Sequence, residues 1–120
     1  ALLGAGYDVP DDVQGRSLVP ILTGVASPDH HRDFVRTEFF GAIDHPDQTH
    51  ATMYRDRRWK LVSYHGKDLF ELYDLANDPW EHNDLSTSAE HQEIKWDRVR
   101  RSFDAAIFAH SPGPPRTMPF

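Results

Sequence analysis

The 120-residue chain carries 13 Lys and Arg against 19 Asp and Glu, a net charge of -6 with a pI near 5.7. That balance argues against nucleic-acid binding, which calls for a basic face against the phosphate backbone. The lack of cysteine excludes disulfides, Cys-x-x-Cys redox chemistry and zinc ribbons, and no apolar run approaches the roughly 20 residues of a membrane helix.

Three Trp, seven Phe and four Tyr are available to fill the modest core of one domain. Ala1–Tyr7 reads as the last turn of a helix, with Gly4 and Gly6 suited to its C-cap. The stretch has no basic n-region and is too short for a signal peptide. It is expected to continue an upstream domain. Asp8–Asp12 is an acidic, proline-containing loop. Ser17 is placed to cap a short helix over Leu18–Thr23, with Pro20 in its first turn and Gly24 as its stop.

Ser27–Arg32 is a polar loop. Asp33–Phe40 has strand composition, with Phe34, Arg36, Glu38 and Phe40 on one side and Val35, Thr37 and Phe39 on the other. Gly41–Gln48 is a loop, Thr49–Arg55 a second strand and Asp56-Arg57 a tight turn. Trp59–Tyr64 is the clearest strand. His65–Asp68 is a hairpin loop in which Gly66 can take a positive φ, and Leu69–Tyr73 returns as the fourth strand. Asp78-Pro79 ends the run, because proline lacks a ladder donor and pushes its predecessor to extended geometry. Ser86, Thr87 or Ser88 then caps a long helix reaching about Ala109. Its stripe of Trp96, Val99, Phe103, Ala106 and Ile107 is expected to cover one sheet face. Ser111–Phe120, with four prolines, reads as an irregular tail.

Strands first and one long helix last predict an α+β fold, an antiparallel sheet of about four strands packed against the helix. Phe70 and Leu72 share a strand face that can pack under the helix. Glu71 and Lys60 are expected to pair across adjacent strands. Asp74 and Asp78 suit Asx-type turns. The basic cluster Arg55–Lys60 reads as a solvated turn.

Three blocks resemble the C-terminal end of the sulfatases, members of the alkaline-phosphatase superfamily. They are Trp59-Lys60-Leu61, Glu71-Leu72-Tyr73-Asp74-Leu75, and Asp78-Pro79-Trp80-Glu81-His82-Asn83-Asp84-Leu85, where Asp84 stands at a position commonly Asn. Leu2–Gly6 and Gln14–Leu22 resemble the segment that joins the sulfatase catalytic domain to this ending. The resemblance divides the chain into an exit segment of an upstream catalytic domain (1–26), a C-terminal α+β subdomain (27–110) and a tail (111–120).

The resemblance also implies a parent enzyme that cleaves sulfate esters with a formylglycine, made from Cys or Ser in Cys/Ser-x-Pro-x-Arg, beside a Ca2+ held by carboxylates and an amide. No such motif occurs in these 120 residues, and Asn83-Asp84 reverses the order of the calcium-binding pair. The chain alone is therefore expected to be non-catalytic. It would complete the enzyme's fold against its own catalytic domain and line the entrance for a sulfated small molecule or glycan. His45 and His50, with Asp44, Asp47 and Gln48, are the candidate substrate-binding residues, because loops on a rigid sheet are where binding groups sit. His30-His31 beside Asp29 invites a metal reading but lacks a third ligand. No Gly-x-Ser-x-Gly elbow supports a serine hydrolase. A stand-alone carbohydrate- or protein-binding module and a phosphate- or phosphonate-ester hydrolase of the same superfamily are the alternatives. An apolar face left uncovered by a missing domain is expected to make the isolated fragment dimerise.

Overall fold

The computed structural model describes residues 5–8, 13–41 and 49–109. The predicted loop at 9–12, most of the 41–48 loop and the tail lie outside them, as do residues 1–4 of the expected N-terminal turn. The described residues fall into two units, one drawn from 1–31 and 106–120, the other spanning 32–105.

In the first unit a single helical turn, α1 (Val19–Leu22), follows Leu18 as its N-cap. Proline fits the first turn because that turn's N–H groups have no intrahelical partner. Ser17 lies one residue earlier than expected for a cap, yet its Oγ still accepts the Val19 N–H at 3.2 Å. Gly24, at φ +74°, stops the turn as predicted.

The second unit is a four-stranded antiparallel meander in chain order: β1 (Val35–Phe40), β2 (His50–Arg55), β3 (Trp59–Tyr64) and β4 (Leu69–Asp74). The register pairs Val35 with Arg55, Tyr54 with Leu61, and Leu61 with Leu72. Asp56 makes the β2–β3 turn by accepting the N–H groups of Arg58 (2.9 Å) and Trp59 (2.7 Å) on one carboxylate oxygen. A 3-10 turn, Ala89–His91, leads into α2 (Gln92–Ala109), so the chain is α+β. Ser88 stands at the N-cap of this entry, but its hydroxyl meets the His91 ring at 2.9 Å rather than a backbone N–H.

Trp59, Leu61 and Leu72 form the buried core, with Phe70, Leu85, Ile94 and Val99 packed around it. Leu61 and Leu72 are 1% and 0% exposed. Phe70 and Leu72 lie under α2 as expected. The helix stripe is rotated from the expected one: Phe103 and Ile107 are 65% and 53% exposed. The side turned to the sheet carries Ile94, Arg98, Val99 and the buried Ser102. The cause is the sheet. β1 and β2 offer polar groups there, so Arg36 Nε donates to Ser102 Oγ (3.3 Å) and Tyr54 hydrogen-bonds Arg101. Arg98 Nε lies 2.8 Å from Asp56 Oδ2, an ion contact whose N–H is not aimed along the line. A phenylalanine at such positions would strand those polar groups.

The expected Lys60–Glu71 pair does not form, because the register sets Lys60 beside Tyr73 and Glu71 beside Val62. Lys60 Nζ instead meets Glu81 at 2.5 Å. Glu71 accepts the hydroxyls of Tyr64 (2.7 Å) and Tyr73 (3.0 Å). Burial, then the Glu71 hydrogen bond, raises the Tyr73 phenol to about 12.

The outer edge of β4 is closed at Leu72. Its N–H donates to Asp84 Oδ1 (2.9 Å) and its carbonyl accepts the Leu85 N–H (2.8 Å). Asp84 also takes the Ser86 N–H and hydroxyl. At the strand's end Asp74 receives Arg58 through two parallel bonds of 3.0 and 2.8 Å, together with the Ala76 N–H and the Asn77 amide. The Arg58 fork holds the Asp74 carboxyl below the usual range, and the Asn83 N–H does the same for Asp78.

Three outcomes follow. Asp84→Ala orphans the Leu72 N–H and should cost about 1–3 kcal/mol in chemical denaturation, whereas Asp84→Asn, which keeps the acceptor, should cost much less. Asp74 and Asp78 have lowered folded pKa values. Their contribution is present above the unfolded carboxylate value, about 3.9, and is lost as pH falls through the folded ones; Asp74→Asn should flatten that acid limb. Tyr73 is raised, so its contribution is complete below the unfolded phenol value of about 10 and disappears as pH rises through the folded value. An ultraviolet titration in which Tyr73→Phe removes a phenol ionising at the ordinary value would contradict this.

Candidate functional site

The β1–β2 connection leaves the sheet from a closed base. Gly41, at φ +57°, donates its N–H to the Thr49 carbonyl at 3.1 Å. Phe40 pairs with His50 immediately inside, their rings 5.6 Å apart. His50 opens β2 and is exposed. Of the five candidate substrate-binding residues it alone is described; Asp44, His45, Asp47 and Gln48 lie outside the described residues.

The fold adds two groups that linear spacing did not bring to His50. The β3–β4 hairpin turns back at the same end of the sheet, where the His65 N–H donates to the His50 carbonyl at 2.8 Å. The His65 ring Nε2 lies 3.1 Å from Thr52 Oγ1, and Lys67 Nζ donates to Thr49 Oγ1 at 3.0 Å. Gly66, at φ +75°, and Asp68, at φ +50°, supply the left-handed conformations that this turn needs. Thr52 is buried, whereas His65 and Lys67 are exposed. His50, His65 and Lys67 therefore form a rim of hydrogen-bonding and cationic groups, suited to holding hydroxyls or an anion by donated bonds. The signal in the sequence was strand length. Two adjacent six-residue antiparallel strands return both connections to one end.

Catalytic and metal chemistry fare differently. Among the described residues, no group of three or more His, Asp and Glu is arranged to hold a metal ion. Asp84, the local rival for a calcium ligand, has both carboxylate oxygens engaged by the Leu72 N–H and by Ser86. Asn83 gives its N–H to Asp78 at 2.8 Å. That pair is turn architecture and does not fit a calcium site. At Asp29, Ser27 Oγ donates to the carboxylate (3.3 Å) and accepts the Asp29 N–H (3.2 Å).

Substituting Lys67 tests the rim's architecture. Lys67→Ala removes the Thr49 contact across the two connections and should lower stability by no more than about 1 kcal/mol, since the bond is exposed. Hydrogen exchange at Gly41 and Thr49 should quicken. Unchanged exchange there would mean that the two connections are not coupled.

Comparison with known proteins sets these features in a family. The chain is 29% identical over 91 residues to an N-acetylglucosamine-6-O-sulfatase of Bacteroides thetaiotaomicron, covering 72% of this chain and 16% of that protein. It is 32% identical over 107 residues to a Delta 4,5-hexuronate-2-O-sulfatase of the same organism, covering 83% and 22%. The solved structure of a 2-O GAG sulfatase superposes with a TM-score of 0.75 at 26% identity, covering 88% of this chain and 22% of that one. The chain thus spans about a fifth of the length of such proteins. Residues 1–105 match the family described as N-sulphoglucosamine sulphohydrolase, C-terminal, and with the meander, the closing helix and the motif blocks in place, the chain belongs to that family of sulfatase C-terminal domains.

Proposed function

We propose that this chain is the C-terminal subdomain of a sulfuric ester hydrolase, non-catalytic in itself, which completes the enzyme and lines the substrate entrance with the His50 rim. The observation that supports this is the family match across residues 1–105 in a sequence with no Cys/Ser-x-Pro-x-Arg. The nucleophile, its formylglycine and the Ca2+ would then belong to a catalytic domain preceding residues 1–26. The subdomain's own contribution is binding. Donors at His50, His65 and Lys67, with those of the 41–48 loop, would orient a sulfated sugar by bonds to its hydroxyls or to a second charged group. Such contacts are formed equally in the ground and transition states, so they act on KM rather than kcat.

Sulfate is favoured over phosphonate chemistry because the two relatives compared above are an N-acetylglucosamine-6-O-sulfatase and a Delta 4,5-hexuronate-2-O-sulfatase. The test is an assay of the full natural protein that carries this chain, with sulfated N-acetylglucosamine, sulfated unsaturated hexuronate and a phosphonate monoester offered side by side. Sulfate release is expected from the full protein and none from the 120 residues alone. Turnover of the phosphonate only would sink the sulfatase reading. A natural protein no larger than 13.8 kDa would turn it into a binding module. Within the full enzyme His50→Ala should raise KM about 3–10-fold, roughly the worth of one hydrogen bond, at unchanged kcat. An unchanged KM would remove His50 from the entrance.

A further inference from the structure

The opposite end of the sheet holds a second feature. Arg32, Asp33, Phe34 and Val35 at the start of β1, with Arg55, Asp56 and Arg57 at the β2–β3 turn, line an open cleft of about 290 Å³. Three arginines and two acids, Asp33 and Asp56, line it, a local excess of cations in a chain whose net charge is -6. Asp56 adds little negative charge there, because one of its oxygens accepts the Arg58 and Trp59 N–H groups and the other faces Arg98. Phe34 stacks on the buried Tyr54 with ring centroids 4.9 Å apart, which fixes an aromatic surface at the wall of the cleft. The Val35–Arg55 pair sets the cleft on the end of β1 and β2 away from the Phe40–His50 pair, about 17 Å distant along the strands. The basic cluster Arg55–Lys60 reads as a solvated turn by sequence; the fold adds Arg32 and Phe34 to it from a segment more than 20 residues earlier.

We propose that this cleft is a secondary anion-binding subsite for a polyanionic glycan, taking a sulfate or carboxylate group of a sugar remote from the one at the His50 rim. Arginine forks suit such oxyanions because two parallel N–H donors match two oxygens. The Phe34 ring offers an apolar surface to the adjoining sugar. A locally cationic cleft in an anionic protein draws the charged chain to one place and orients it. The naming of a glycan rests on the sulfatase reading; the anion-binding chemistry does not.

The experiment uses the full natural protein, with a heparin-derived hexasaccharide and a monosaccharide sulfate as probes, by calorimetry at two salt concentrations. Arg55→Ala/Arg57→Ala should weaken hexasaccharide binding about tenfold, with a shallower salt dependence, and leave the monosaccharide unaffected. Arg100→Ala, an exposed arginine of α2 outside the cleft, should change neither. Unchanged hexasaccharide affinity in the double variant would overturn the proposal. So would an equal loss with Arg100→Ala, which would mean diffuse charge, an equal loss for the monosaccharide, or a preference for single-stranded nucleic acid over the hexasaccharide. Sulfate-ester turnover is read separately. A protein that binds through these arginines yet cleaves no sulfate ester keeps the cleft and loses the sulfatase reading, and one that cleaves sulfate with unaltered hexasaccharide binding does the reverse.

Discussion

Leu72 is where the fold is tied together. Its side chain is fully buried among Trp59 and Leu61, while its backbone faces outward on an edge strand. A buried edge residue with unpaired N–H and carbonyl would be costly, and an open edge invites pairing with another chain. The Asp84 carboxylate and the Leu85 N–H answer both groups. Leu85 then adds its own side chain to the core. The block Glu71–Leu75 and the block Asp78–Leu85 are thus two halves of one closure. That explains why an Asn-Leu or Asp-Leu pair follows the Asp-Pro stop at this distance. Either side chain offers the carbonyl-type oxygen that accepts the Leu72 N–H, so Asp84 in place of Asn keeps the essential contact.

The same economy governs the motif's other acids. Asp74 ends β4, and with Arg58 it joins the start of β3 to the turn that follows β4. Asp56 shapes the β2–β3 turn with one oxygen and meets α2 with the other. Glu71 gathers two tyrosine hydroxyls on the sheet face opposite the core. A chain with a surplus of acids spends them as acceptors for backbone N–H groups and as partners for arginine. The motif residues are therefore best understood as makers of the fold. The groups proposed to bind lie instead at the two ends of the sheet, where connections are free to vary without disturbing the ladder.

α2 depends on a mixed footprint. Toward its N-terminal half it covers Phe70 and the core with Ile94, Val99 and the edge of Trp96. Further along it crosses β1 and β2, where Arg36, Tyr54 and Asp56 demand polar partners. Trp96, Phe103 and Ile107 are left largely on the outer side. Counting apolar residues at intervals of three and four finds the more apolar side of such a helix, and here only Val99 and the edge of Trp96 from that side reach the core and Phe70.

The sequence by itself determined the order and type of the elements. The alternation in Trp59–Tyr64, the glycine in the His65–Asp68 turn, the Asp-Pro stop and the long run after Ser88 are local signals, read within a few residues of where they act. The motif blocks likewise carried the family, because they encode the turns and the edge closure of this meander. Only the tertiary structure decided which groups meet. Lys60 went to Glu81 rather than Glu71 because strand register is set by the whole ladder. The helix face was chosen by what β1 and β2 present. His65 and Lys67 joined His50, and Arg32 joined Arg55 and Arg57, because antiparallel strands of equal length bring distant connections to a common end. Those juxtapositions depend on separations of many residues, and the local chemistry of either partner does not reveal them.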